Sequence, residues 1–275
     1  MSRFFGSCLI VLLLCLGTTA SATAPSPRLE QGYRDMYNLD FATAHEIFVA
    51  WQVAHPEDPL GFVSDAACYL FSEFERLHVL QTELFTNDTS FEKRRKLPPD
   101  PAAKAAFNEA LAKADQLVAQ ILARSPQDHN AMFSEVLANG LRSDFAALIE
   151  KRNLASLGYM KNSRRIADQL VALDPGYYDA YLAVGVENYL LSQNPAPIRW
   201  MLRLGGAQTD KAEGINRLRL TAEKGRYLGP FARLLLAVAA LRDNDHATAR
   251  ALLAGLSQEF PRNHLYSEEL ARIPH

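Results

Sequence analysis

Cysteine is scarce in this chain of 275 residues: there are three, and two of them, Cys8 and Cys15, lie at the start. Without that start Cys68 stands alone, which excludes an intramolecular disulfide. The apolar run Leu9 to Leu16 falls well short of the ~20 residues that cross a bilayer. Neither sign of charge is in marked excess, 29 Lys+Arg standing against 31 Asp+Glu. That balance points to neither nucleic acid nor an acidic membrane as partner. Alternating Val/Ile/Thr segments are few, which argues against a sheet, while 48% hydrophobic content suits a sizeable core. The expected class is all-α.

Residues 1–22 read as a targeting segment. Arg3 supplies a positive start, Leu9 to Leu16 an apolar centre, and Ala20-Ser21-Ala22 the small residues of a cleavage site. Pro25 sits too close for a cut after Ala24, so the bond after Ala22 is preferred. Cys8 precedes the apolar run and Cys15 follows Leu14, so neither sits where lipid attachment requires it. The expected mature chain, residues 23–275, carries 28 Lys+Arg against 31 Asp+Glu. It is expected to be exported, periplasmic or secreted, without a stable membrane anchor.

A twelve-residue interval recurs along the chain. It separates Ala44 from Pro56, Ala114 from Pro126, Ser163 from Pro175 and Ala249 from Pro261, with Phe48, Val118, Ala167 and Leu253 four positions after each first member. A small residue lets a partner helix approach closely, and a proline ends a helix because it lacks an amide hydrogen and clashes with the preceding turn. Each interval therefore describes the second helix of a hairpin. The intervals between the four prolines are 70, 49 and 86 residues, so helix lengths vary.

The first unit, Gly32 to Pro56, resembles the tetratricopeptide repeat, with Gly32, Phe41, Ala44, Phe48 and Pro56 in signature positions. It departs at Asp35, where that family prefers an aromatic. The last unit matches at Leu236, Ala237, Ala249, Leu253 and Pro261. Gly185 to Ser192, Pro195, Ile198, Leu202, Gly205-Gly206, Asp210, Gly214-Ile215, Leu218, Gly225 and Phe260 to Leu265 are similar to a group of exported bacterial repeat proteins of unassigned activity. More distantly they resemble the eukaryotic inclusion-body-clearance family. Ala207-Gln208-Thr209-Asp210 departs from that bacterial group, keeping only the acid of its Gly-Asp pair. The resemblance implies an irregular right-handed solenoid of helical hairpins and brings no catalytic residue with it.

Along residues 23–275 a single repeat domain is expected, interrupted by an insertion at about 86–100. Asp58-Pro59 opens a helix running through Arg76 into the eighties, with Asp58 as cap and Pro59 at the first helical position. Asn87 to Ser90 is turn chemistry, Lys93 to Lys96 a basic run that is either solvated or docks an anionic partner, and Pro98-Pro99-Asp100-Pro101 leads into the next helix. Further helices are expected over 101–125, 128–150, 153–173, 177–191, a short 198–204, and 211–225. Asp210 or Thr209 would cap the last of these, and a left-handed Gly225 would close it.

The chemistry-bearing motifs are thin. Glu75 and His78, three apart, form half of a di-iron pattern with no second copy. The histidines lack the spacing that places two ligands on one helical face, so no metal is expected. There is no Gly-x-Ser-x-Gly elbow and no phosphate loop. No cofactor is expected, and no enzyme. What remains is a surface: in a tetratricopeptide solenoid the first helix of each hairpin lines the concave face. The register set by the prolines puts Tyr33, Met36, Tyr37, Val63, Leu70, Phe71, Phe133, Leu137, Leu182, Val186 and Tyr189 there. Such an apolar groove suits a protein or peptide partner, or alternatively a lipid or other apolar small molecule. Self-filling by the insertion or the C-terminal helix is the competing arrangement.

Overall fold

A computed structural model describes residues 28–79, 95–193 and 210–274. Among them are eleven α-helices and no strand. In chain order these are α1 (Leu29–Tyr37), α2 (Phe41–Ala54), α3 (Pro59–Arg76), α4 (Pro101–Arg124), α5 (His129–Asp144) and α6 (Asn153–Leu173). They continue with α7 (Tyr181–Ser192), α8 (Lys211–Lys224), α9 (Gly229–Arg242), α10 (His246–Glu259) and α11 (His264–Arg272). Every helix packs against the next in sequence, and α3 also packs on α1 and α5.

The four prolines mark four equivalent corners. The residue before each, His55, Ser125, Asp174 or Phe260, ends its helix by donating its N–H to the carbonyl four residues back, at 2.7 to 2.8 Å. The bulk of the following ring pushes that residue to extended ψ, between 65° and 91°. Its own carbonyl then accepts the N–H of the residue three ahead, Asp58, Asp128, Tyr177 or Asn263, at 3.0 to 3.1 Å. Asp58, Asp128 and Asn263 go on to cap the next helix with their side chains. The small residues fit the same scheme: Ala44, Ala114 and Ala249 are wholly buried, and Ser163, also buried, donates its hydroxyl to the Val136 carbonyl at 2.8 Å. Gly32 lies so near Phe48 that an added Cβ would fall 2.4 Å from the ring.

The first and last hairpins also share their inner turn. Leu39 and Asn244 both take left-handed backbone, with φ of 61° and 57°. The aspartates that follow, Asp40 and Asp245, cap α2 and α10 through the N–H groups of Thr43 and Thr248.

Some sequence expectations are corrected. Helix α3 stops at Arg76, because His78 turns left-handed (φ 53°) and Val79 donates back to the Phe74 carbonyl at 2.8 Å. His78 is thus beyond the helix on which Glu75 sits. Gly225 is extended (φ −64°, ψ 135°), not left-handed. Glycine is required there by space, since a Cβ would lie 2.6 Å from the Thr221 carbonyl and 2.9 Å from an Asp179 oxygen. A 3-10 turn, Tyr178–Ala180, precedes α7 in place of one continuous helix. Asp210 does cap α8, accepting from the Glu213 N–H. Residues 1–22, most of the insertion, and the expected helix at 198–204 with Gly205-Gly206 lie outside the described residues.

Candidate functional site

The eleven expected groove residues lie on α1, α3, α5 and α7. Tyr33, Met36, Tyr37, Val63, Leu70, Phe133 and Tyr189 are buried, while Phe71, Leu137, Leu182 and Val186 are half-buried. The C-terminal third covers several of them. Tyr227 stacks near Tyr33 and Phe133, with ring centroids 5.1 and 6.3 Å away. Phe231 meets Phe71 edge-on at 5.7 Å, and Phe260 lies 5.5 Å from Tyr37. The Tyr37 hydroxyl donates to the Tyr227 carbonyl at 2.9 Å, and the Ser64 hydroxyl to that of Tyr33 at 3.1 Å. Burial pushes the Tyr33, Tyr37 and Tyr177 hydroxyls far up and that of Tyr227 to about 12, so all stay neutral.

One carboxylate holds Tyr227 in place. Asp179 Oδ1 accepts the backbone N–H groups of Tyr227 and Leu228 at 3.0 and 2.8 Å, and Oδ2 accepts that of Arg226 at 2.8 Å. Burial raises the Asp179 carboxyl, and these three donors with the Arg226 charge oppose the rise. Ion pairs then ring the junction: Arg226 with Glu30, Arg34 with Glu259, and Arg262 with Asp40. Arg262 also reaches Asp35. Asp35, the acid that departs from the repeat signature, is therefore among those that face the far end of the chain.

The closure leaves a small cavity at the seam, about 40 Å³, walled by Met36, Tyr37, Phe41, Phe71, Phe231 and Leu265 among others. Three expected groove residues, Met36, Tyr37 and Phe71, thus converge on one space. Its polar groups already have partners: Asn263 donates to the Tyr37 carbonyl at 2.8 Å and caps α11, and Glu269 pairs with Arg272. What is left to meet a ligand is apolar wall. A more open cleft of about 380 Å³ lies among α8, α9 and α10, with Ile215, Leu236 and Leu252 beneath a rim of Arg219, Glu223, Asp243 and Asp245.

Two other clusters bear on chemistry. His45 Nδ1 lies 2.6 Å from buried Asp65, and the Tyr69 hydroxyl 3.5 Å from the other ring nitrogen. Burial raises the Asp65 carboxyl, with the His45 hydrogen bond acting against it. This group ties α2 to α3. Beside it the Cys68 thiol, buried and donating to the Phe41 carbonyl, is pushed up to about 12, which makes it a poor nucleophile. At the far end of α5, burial alone raises the Asp144 carboxyl to about 7, just where the helix widens into the π-helical turn Phe145–Ile149. Among the described residues no three His, Cys, Asp or Glu side chains group as metal ligands, and no helix is long and apolar enough to cross a membrane.

Sequence reasoning passed over Asp179, Tyr227 and Asp144. Asp179 was findable in part, because an acid two positions before an apolar helix invites a capping role. The loop that it binds, 47 to 49 residues away, leaves no mark in local pattern. Comparison of the chain with protein-family models, with curated proteins and with solved structures finds no match.

Proposed function

We propose that this is an exported, non-enzymatic helical-repeat protein, its hairpins stacked as a tetratricopeptide-like solenoid, that binds a protein or peptide by an apolar anchor. The anchor is one aliphatic or aromatic side chain of the partner, seated in the seam cavity against the touching rings of Phe71 and Phe231. The observation that carries this reading is the convergence of Met36, Tyr37 and Phe71 on a space with apolar walls and satisfied polar edges. Desolvated pockets of that kind concentrate binding energy in a few aromatic contacts. A volume of about 40 Å³ suits the tip of a side chain rather than an acyl chain, which favours a peptide over a lipid.

Selection of displayed peptides on the purified protein tests the reading. Binders are expected to share a single Leu, Ile, Met or Phe position. Filling the cavity with Leu265→Phe should then abolish their binding without lowering the melting temperature. Peptides that bind the filled variant as well as the parent would refute the site.

A further inference from the structure

The basic run before Pro98 does not stand alone. Leu97 donates its N–H to the Ile149 carbonyl at 3.1 Å, which sets exposed Arg95 and Lys96 beside the turn that joins the π-helical segment to α6. That turn carries Lys151, left-handed at φ 57°, and Arg152, whose side chain is 62% exposed. Lys104 comes in from α4. The acid of that turn, Glu150, is largely buried and already paired with both Lys104 at 2.6 Å and Arg152 at 3.2 Å, so it leaves Arg95 and Lys96 uncompensated from this side. The nearby acids are engaged as well: Asp100 caps α4, and Glu73 receives Arg76 and the Asp100 N–H. A chain of formal charge −2 therefore carries a locally positive corner. Out of the same corner projects Leu154, 88% exposed.

We propose that this corner docks the protein peripherally on an anionic phospholipid surface, with Arg95, Lys96 and Arg152 on lipid phosphates and Leu154 in the headgroup boundary. The pairing of features selects the partner. Nucleic acid would satisfy the cations but offers no apolar layer for a projecting leucine, whereas a bilayer interface rewards both. No span or covalent anchor is involved, so attachment is reversible and weakens with salt.

Flotation of the full chain with vesicles tests this, comparing phosphatidylglycerol mixed with phosphatidylcholine against phosphatidylcholine alone. Binding is expected on the anionic vesicles, falling about fivefold for each cation removed in the series Arg95→Ala, Lys96→Ala, Arg152→Ala. Leu154→Ser should also weaken it, and melts by circular dichroism should be unchanged because all four side chains are exposed. Equal retention on both vesicle types, or retention indifferent to the variants, overturns the proposal. So does a loss that follows the cations but ignores Leu154, with heparin retained equally well, since that marks a general polyanion surface.

Discussion

Removing the Asp179 carboxylate should loosen the C-terminal third from the aromatic face. In Asp179→Ala the N–H groups of Arg226, Tyr227 and Leu228 lose their acceptors, and the last two bonds are buried. An unsatisfied buried donor costs about 1 to 3 kcal/mol. Arg226 lies near solvent and recovers water, so the expected loss is about 3 to 5 kcal/mol from the two buried groups and the emptied space. For a chain of this size that lowers the melting temperature by roughly 10 °C. Asp179→Asn is a graded control. It keeps Oδ1, which serves Tyr227 and Leu228, and surrenders only the acceptor of Arg226, so about 1 kcal/mol is expected. Trypsin supplies a local readout, because the exposed Arg226 sits in the very loop that Asp179 holds. Cleavage after Arg226 should accelerate strongly in the alanine variant and modestly in the asparagine one. An alanine variant within about 1 kcal/mol of the parent, with unchanged cleavage, would refute the clamp.

Two further outcomes are expected. Gly32→Ala should cost about 1 to 3 kcal/mol in urea unfolding, since the new Cβ meets the wholly buried Phe48 ring, and an unchanged midpoint would mean that the ring yields freely. Asp144, raised to about 7, favours the fold when protonated. Its contribution is complete below the ordinary carboxylate value and is lost as pH rises through about 7, at no more than about 1.4 kcal/mol per pH unit. Asp144→Asn should flatten that slope between about pH 4 and 7, and equal slopes in the two proteins over that window would contradict it.

The corners were legible from sequence because each is a local device. Ala44 and Pro56, or Ala249 and Pro261, act on their own helix and its immediate neighbour, so spacing alone reveals them. Asp58 as a cap follows from the same locality. The seam was not legible. Tyr37 meets Tyr227 and Asn263 across 190 and 226 residues, a separation at which no local pattern says which side chains will meet. The end of α3 escaped for a different reason: His78 takes a left-handed backbone, which histidine adopts more readily than most residues but still uncommonly, so the residue type is only a weak signal. Gly225 was read as a conformational glycine and is a steric one, because its neighbour Asp179 comes from a distant turn.

The claim that the seam seats one apolar side chain of a partner is tested most directly by a double-mutant cycle. A peptide selected on the protein and its anchor-to-Ala variant are titrated calorimetrically against the parent and against Phe71→Leu, a substitution that keeps a half-buried position apolar. The account predicts that the two changes are coupled by about 1 to 3 kcal/mol, as expected for groups in contact. Additive losses, with both proteins folded, would place the anchor elsewhere and contradict it.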